Sequence, residues 1–107
     1  MTNKGKLVRD KIPQIIRAQG GEPIVRIAEA VEYRELLRAK LAEEVHEVLA
    51  ADDADAPGEL ADVLEVVLAL AADLGMNARQ LESLRAAKAA ERGGFADRIV
   101  WSGNVVS

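Results

Sequence analysis

The sequence predicts an all-α fold, an antiparallel bundle of about four helices, and three observations predict it. Apolar residues recur at helical spacing from Glu29 to Leu74. Half of the residues are apolar but only 3% are aromatic, so the core has to be built from Ala, Leu and Val, which suits closely packed helices. Glycines at 20–21, 75 and 93–94 punctuate the chain at helix-length intervals. A chain of 107 residues makes a single domain, 1–107, with a core modest enough that self-association would help it. A homodimer or higher homo-oligomer is therefore expected.

The elements follow in order. Residues 1–6 read as frayed or extended. Asp10 suits an N-cap, Pro13 fits the first turn, and a helix through Gln14, Ile15, Ile16, Arg17 and Ala18 should stop at Gly20-Gly21. Residues 22–27 alternate weakly and are rich in β-branched side chains, which favours a short strand. From Glu29 to about Ala51 the period is helical, with Leu37, Leu41, Val45, Val48 and Leu49 on one stripe. The run Asp52-Asp53-Ala54-Asp55-Ala56-Pro57-Gly58 breaks that helix, with Asp55 or Ala56 just before the next helix start. Residues 56–74 are the most apolar segment, apolar over more than half the circumference, and read as the central or interface helix. Asn77 can cap a last helix to about Arg92, closed by Gly93-Gly94. The tail 95–101 could pair with residues 23–27 as a small peripheral two-stranded β-hairpin.

Charge and composition exclude several classes. The net charge is −4 and both signs are interspersed, whereas a nucleic-acid polymer calls for a basic face. With no cysteine, disulfides and thiolate metal sites are ruled out. The polar start MTNKGKLVRDK lacks a signal-type apolar run, and no segment approaches the ~20 apolar residues of a membrane span. The expectation is a soluble cytoplasmic protein without membrane or nucleic-acid partners.

The stretch from Lys40 to Leu70 carries two carboxylate clusters, Glu43, Glu44 and Glu47, then Glu59 and Asp62. At about 100° per residue, with Glu43 at zero, Glu47 lies near 40° and Glu44 near 100°. The apolar stripe centres near about 170°, so Glu44 borders the buried face, and Lys40, near about 60°, sits within the acidic arc. Glu59 and Asp62 are three apart, hence neighbours, and Glu65 continues their row. If the intervening link folds the two helices together, the carboxylates converge. Like charges crowded beside a core repel unless cations neutralise them. Mg²⁺ prefers six oxygens and keeps several waters, which leaves room for phosphate oxygens. More than one metal per site is conceivable with this many carboxylates. The plainer reading is a solvated acidic face with i,i+4 pairs such as Lys40 with Glu44.

E-E-x-x-E at 43–47 followed by E-x-x-D at 59–62 resembles the signature of the all-α nucleoside triphosphate pyrophosphohydrolases, which include MazG-like enzymes and phosphoribosyl-ATP pyrophosphohydrolase. The flanks Lys6-Leu7-Val8-Arg9-Asp10-Lys11-Ile12-Pro13 and Lys88-x-x-x-Arg92-Gly93-Gly94-Phe95 resemble a short-chain, phosphoribosyl-ATP pyrophosphohydrolase-like branch. Residues 48–58 separate the motifs by slightly less than is usual in the family, which requires a tight turn. The resemblance implies Mg²⁺-dependent hydrolysis, with Mn²⁺ as a substitute, of a nucleotide to a monophosphate and pyrophosphate. By matching positions, Glu44, Glu47, Glu59 and Asp62 would be metal ligands, with Glu43 a supporting carboxylate that holds a basic side chain or orients the attacking water; Glu43 and Glu47 are the catalytic candidates.

A polyphosphate also needs cations from the protein: Lys6, Arg9, Lys11, Lys40, Lys88 and Arg92 are the substrate-binding candidates, with Arg98 near the glycine turn. Gly93-Gly94 reads first as an ordinary helix C-cap. Tyr33 and Trp101 could stack on a base, though core or interface packing fits such scarce aromatics better. His46 forms Glu-x-x-His with Glu43, as in di-iron bundles, but projects away from Glu44 and is expected to be exposed and non-ligating. A competing reading makes the chain a non-enzymatic acidic helical dimerisation module. No residue pattern selects among canonical, damaged or phosphoribosyl nucleotides, and house-cleaning is a family expectation alone.

Overall fold

A computed structural model describes residues 5–106. Among these residues the fold is all-α, with four helices: α1 (Ile12–Ala18), α2 (Ala30–Ala50), α3 (Ala56–Asp73) and α4 (Ala78–Arg92). Of the segment expected to be frayed or extended, residues 1–4 lie outside the described residues, and residues 5–9 have no regular structure.

α2 and α3 are the packed pair, and residues 51–55 between them are too short for anything but an antiparallel hairpin. The turn is made by Asp52. Its carboxylate accepts from the Asp55 backbone N–H at 3.0 Å, and its carbonyl accepts from Ala56 N at 2.9 Å. Pro57 falls in the first turn of α3, where its missing N–H costs nothing, so α3 begins inside the stretch read as a breaker. At the far end of the hairpin Arg34 Nε donates to Asp73 Oδ2 at 2.6 Å, a pair 39 residues apart in sequence.

The other helix ends follow from their residues. α1 is capped at Lys11 with no side-chain hydrogen bond, so Asp10 is not the cap that its residue type suggests. α1 and α3 each close with a left-handed glycine, Gly20 at φ +90° and Gly75 at φ +88°. In both the next N–H reaches back to an orphan carbonyl, Gly21 to Ile16 at 3.0 Å and Met76 to Ala71 at 2.9 Å. Asn77 and Gln80 exchange side-chain-to-backbone bonds of 2.8 Å each, a complete capping box at the start of α4.

Among the described residues no strand forms, so the hairpin expected from residues 22–27 and 95–101 is absent from this chain. Alternation of β-branched residues favours a pleated surface only where a neighbouring edge completes the ladder. Both segments lie in solvent, with Ile24, Ile27, Ile99 and Val100 all exposed.

The core is small: Leu37 is 4% exposed and Val66 and Ala71 are each 8% exposed, and no other hydrophobic residue described is buried. The radius of gyration is 18.6 Å, against about 13 Å for a compact domain near this length. The excess arises because α4 meets α3 only sparsely, while α1 packs on no other helix.

The hairpin has two unlike flanks. With Glu59 at zero on α3, Leu60, Leu64 and Val67 fall between about 80° and 140°, whereas Asp62 falls near about −60°. With Leu41 at zero on α2, Val45 and Leu49 lie at about 40° and 80°, and Glu44 and Glu47 at about −60° and −120°. In antiparallel helices the same sense of rotation leads to the same side. Val45, Leu49, Leu60 and Leu64 therefore share an apolar flank, all exposed. Glu44, Glu47 and Asp62 share the other.

Candidate metal centre

The acidic flank gathers side chains from the last turns of α2 and the first turns of α3. Glu44, Glu59 and Asp62 each present one oxygen within 4.8 Å of the others, and all three are half-buried. Oxygens about 2.1 Å from an octahedral ion lie about 3.0 Å apart when adjacent and about 4.2 Å when opposite. Side-chain rotations that draw the oxygens together by up to about 1.8 Å would close this triad on one hard cation. The donor set, carboxylate oxygen alone, suits a hard cation such as Mg²⁺, Mn²⁺ or Ca²⁺ and not a thiophilic metal.

Glu47 completes the acidic wall without joining the triad. It lines an open cleft of about 500 Å³ with Ala50, Ala51, Asp55, Gly58, Glu59 and Asp62. Asp55 is the site residue that the sequence motifs missed. Its spacing carries a signal: 55, 59 and 62 stand at i, i+4 and i+7, one face of a helix.

Three basic residues border this face. Lys40 Nζ lies 3.1 Å from Glu44 Oε1 and 3.5 Å from Glu43 Oε2, its side chain 17% exposed. Lys6 Nζ donates to Glu43 Oε1 at 3.2 Å, and Arg9 Nη2 to Asp62 Oδ1 at 2.7 Å. The irregular segment before α1 thus crosses both helices at the cluster. Lys11, Lys88 and Arg92, by contrast, make no ion pair with it among the described residues. His46 is exposed and outside the triad. Tyr33 is half-buried and Trp101 exposed, and neither borders the cleft.

The electrostatics divide the carboxylates into two kinds. The Lys6 hydrogen bond, opposed by partial desolvation and helped by the charge of Lys40, holds Glu43 below the usual carboxylate range. Glu59 goes the other way. Partial desolvation raises its pKa first, and the negative charges of Asp62, Glu47, Glu44 and Asp55 raise it further.

A raised folded pKa means that the native state keeps a proton the unfolded chain has released. The stability this group contributes is full below the ordinary carboxylate pKa and is lost as pH rises through the folded value. Glu59→Gln removes that repulsion. We expect the metal-free variant to melt higher than the parent at pH 7, by more than at pH 4, and to lose most stabilisation by Mg²⁺; thermal melts at the two pH values with and without Mg²⁺ measure this.

An uncharacterized protein of Mycolicibacterium smegmatis is 53% identical over 51 residues, which make up 48% of this chain and 52% of that protein. The chain thus spans about half the length of the relative that it matches. No family model matches the chain. No solved structure matches it either. Among the described residues no helix is long and apolar enough to cross a membrane.

Proposed function

We propose that the chain is a Mg²⁺-dependent nucleotide pyrophosphohydrolase of the MazG-like, phosphoribosyl-ATP pyrophosphohydrolase-like kind, cleaving a nucleoside triphosphate or related nucleotide to a monophosphate and pyrophosphate. One observation carries this reading: Glu44, Glu59 and Asp62, from both acidic motifs, converge with oxygens within 4.8 Å. The motif residues and their flanks supply the class of reaction, and the geometry supplies a site that such a reaction could use.

On this reading Glu44, Glu47, Glu59 and Asp62 would hold the cation. A divalent ion there supplies positive charge against phosphate oxygens and acidifies nearby water. The remaining work falls to side chains of the chain. Arg9 bonds an Asp62 oxygen at 2.7 Å, and from that place beside the acidic wall its guanidinium would meet a phosphate group as a two-pronged donor. Lys6 and Lys40 stand beside Glu43 in the same way, positioned to meet a polyphosphate as point charges. Glu43 stays ionised between them and would orient the attacking water, and Glu47, exposed and in no ion pair among the described residues, would face the same water from the wall that holds the cation. A cytoplasmic homo-oligomer belongs to the same proposal, since the chain buries so little on its own.

A second reading has one observation in its favour: Glu43, Glu44 and Asp62 already have cationic partners within the chain, as a solvated face of a dimerisation module would. Pyrophosphate release over a panel of nucleotides with Mg²⁺ or Mn²⁺ separates the two, read beside thermal melting in millimolar Mg²⁺. The enzyme releases pyrophosphate from at least one nucleotide and gains about 2–3 kcal/mol at an ion concentration near 100 times Kd. Silence in both assays leaves the interaction module.

A further inference from the structure

Positive charge has to be imported to the acidic flank. From residue 41 to residue 78 the chain has no Lys or Arg, while residues 43–65 alone carry nine carboxylates. Lys40, at the edge of that stretch, pairs with Glu43 and Glu44 on its own helix. Asp62 takes its cation from Arg9, 53 residues earlier, and Glu43 takes a second one from Lys6, 37 residues earlier. The two basic side chains come from one irregular segment and land on different helices, Lys6 on α2 and Arg9 on α3. Glu47, Asp55 and Glu59 make no ion pair among the described residues, so the compensation is incomplete.

The segment is lightly held. Of residues 5–11 only Leu7 is even half-buried, and α1, which follows, packs on no other helix. The Lys6 and Arg9 side chains are more than half exposed. Ion pairs of that kind hold weakly, because water and salt screen them and ordering two long side chains opposes them. Asp62 also belongs to the triad whose oxygens converge within 4.8 Å. One carboxylate thus has two claimants, the guanidinium that it bonds and a cation shared with Glu44 and Glu59. A guanidinium on Asp62 would stand beside the like charge of that cation, and the two repel.

We infer that residues 5–11 are a strap, an internal counter-ion that stands on the acidic flank in place of a divalent cation and gives way to it. Arg9 gives up Asp62, and Lys6 gives up Glu43, when the triad is loaded. The inference rests on the cation reading of the cluster proposed above and adds a control to it. Linkage makes the control reciprocal: the cation loosens the strap, and the strap weakens the site for the cation by the same factor. Lys6 and Arg9 therefore become available to phosphate only at a site that is already loaded. A segment that merely docks on the hairpin would keep its hold when the ion binds, and its loss would not tighten the site.

Two readouts on the full chain test this without turnover. Titration calorimetry with Mg²⁺ alone compares the parent with Arg9→Gln, the double variant Lys6→Gln/Arg9→Gln, and Lys11→Gln. The last removes the same charge from the same segment but breaks no ion pair with the cluster. Arg9→Gln should bind Mg²⁺ about two- to five-fold more tightly, the range that an exposed ion pair allows, and the double variant more tightly still. Lys11→Gln should bind as the parent does. Because the chain has no cysteine, a nitroxide on Val8→Cys reports the strap by electron paramagnetic resonance. Its spectrum should be that of a restrained label without Mg²⁺ and of a mobile one at saturation, over the concentrations that give the heat. Arg9→Gln binding no tighter than the parent, Lys11→Gln tightening as much as Arg9→Gln, or a label whose motion Mg²⁺ does not increase overturns the strap and leaves the cation site standing. No binding by any variant overturns the cation reading and the strap with it. A native helical circular dichroism spectrum shows that each variant is folded.

Discussion

Asp62→Asn is expected to lower Mg²⁺-dependent pyrophosphate release by about 100-fold or more, with the helical circular dichroism spectrum unchanged. The size follows from the role proposed for the carboxylate. An ion offsetting charge on phosphate oxygens is worth several kcal/mol in the transition state, and each 1.36 kcal/mol is tenfold in rate. Asn keeps the shape and one carbonyl oxygen but loses the negative charge. It also weakens the bond that Arg9 donates to Oδ1, which ties the segment before α1 to α3. Glu47→Gln, which breaks no ion pair, separates these effects, and a comparable loss there assigns the defect to the acidic wall. Turnover within twofold of the parent in both variants would overturn the enzymatic proposal. The measurement is steady-state release across a Mg²⁺ titration, since a weakened site recovers at high metal and a lost catalytic group does not.

The second large effect is on folding. Leu37→Ala should destabilise the chain by about 2–5 kcal/mol, the range for deleting a buried leucine side chain. That is a large fraction of a native stability, which is only about 5–15 kcal/mol in all. Among the described residues Leu37, on α2, is the most buried hydrophobic residue of three, the others being Val66 and Ala71 on α3. Urea unfolding followed by circular dichroism at fixed protein concentration should show the midpoint collapse, or no folded baseline at all. Leu49→Ala, on the exposed flank, should cost far less at concentrations where the chain is monomeric.

Most of the helical skeleton can be read from the sequence because helix ends are local. Asn77 with Gln80, Gly20 and Gly75 specify their turns through bonds to residues no more than five away. The position of Glu44 at the border of the buried face is equally local, a matter of angle relative to Leu41 and Val48. Its side chain is 14% exposed, and Lys40 lies against it. Asp55 was legible by spacing but hidden in a run that looks like a breaker.

What the sequence hides is long-range. Nothing at Arg34 announces Asp73, or at Arg9 announces Asp62; those pairings exist because the Asp52 turn folds the hairpin. Residues 22–27 have the composition of a strand but no edge to pair with. Lys88 and Arg92 belong to a motif flank, yet their distance from the cluster depends on where α4 leaves α3, which helical periodicity does not encode.

Trp101, the chain's one tryptophan, stands 78% exposed in the irregular segment after α4 and far in sequence from the hairpin. Its emission is therefore an optical probe of that segment and nearly blind to melting of α2 and α3. Heating should therefore melt the helices with little movement of the indole spectrum, so circular dichroism will show a full transition where fluorescence shows almost none.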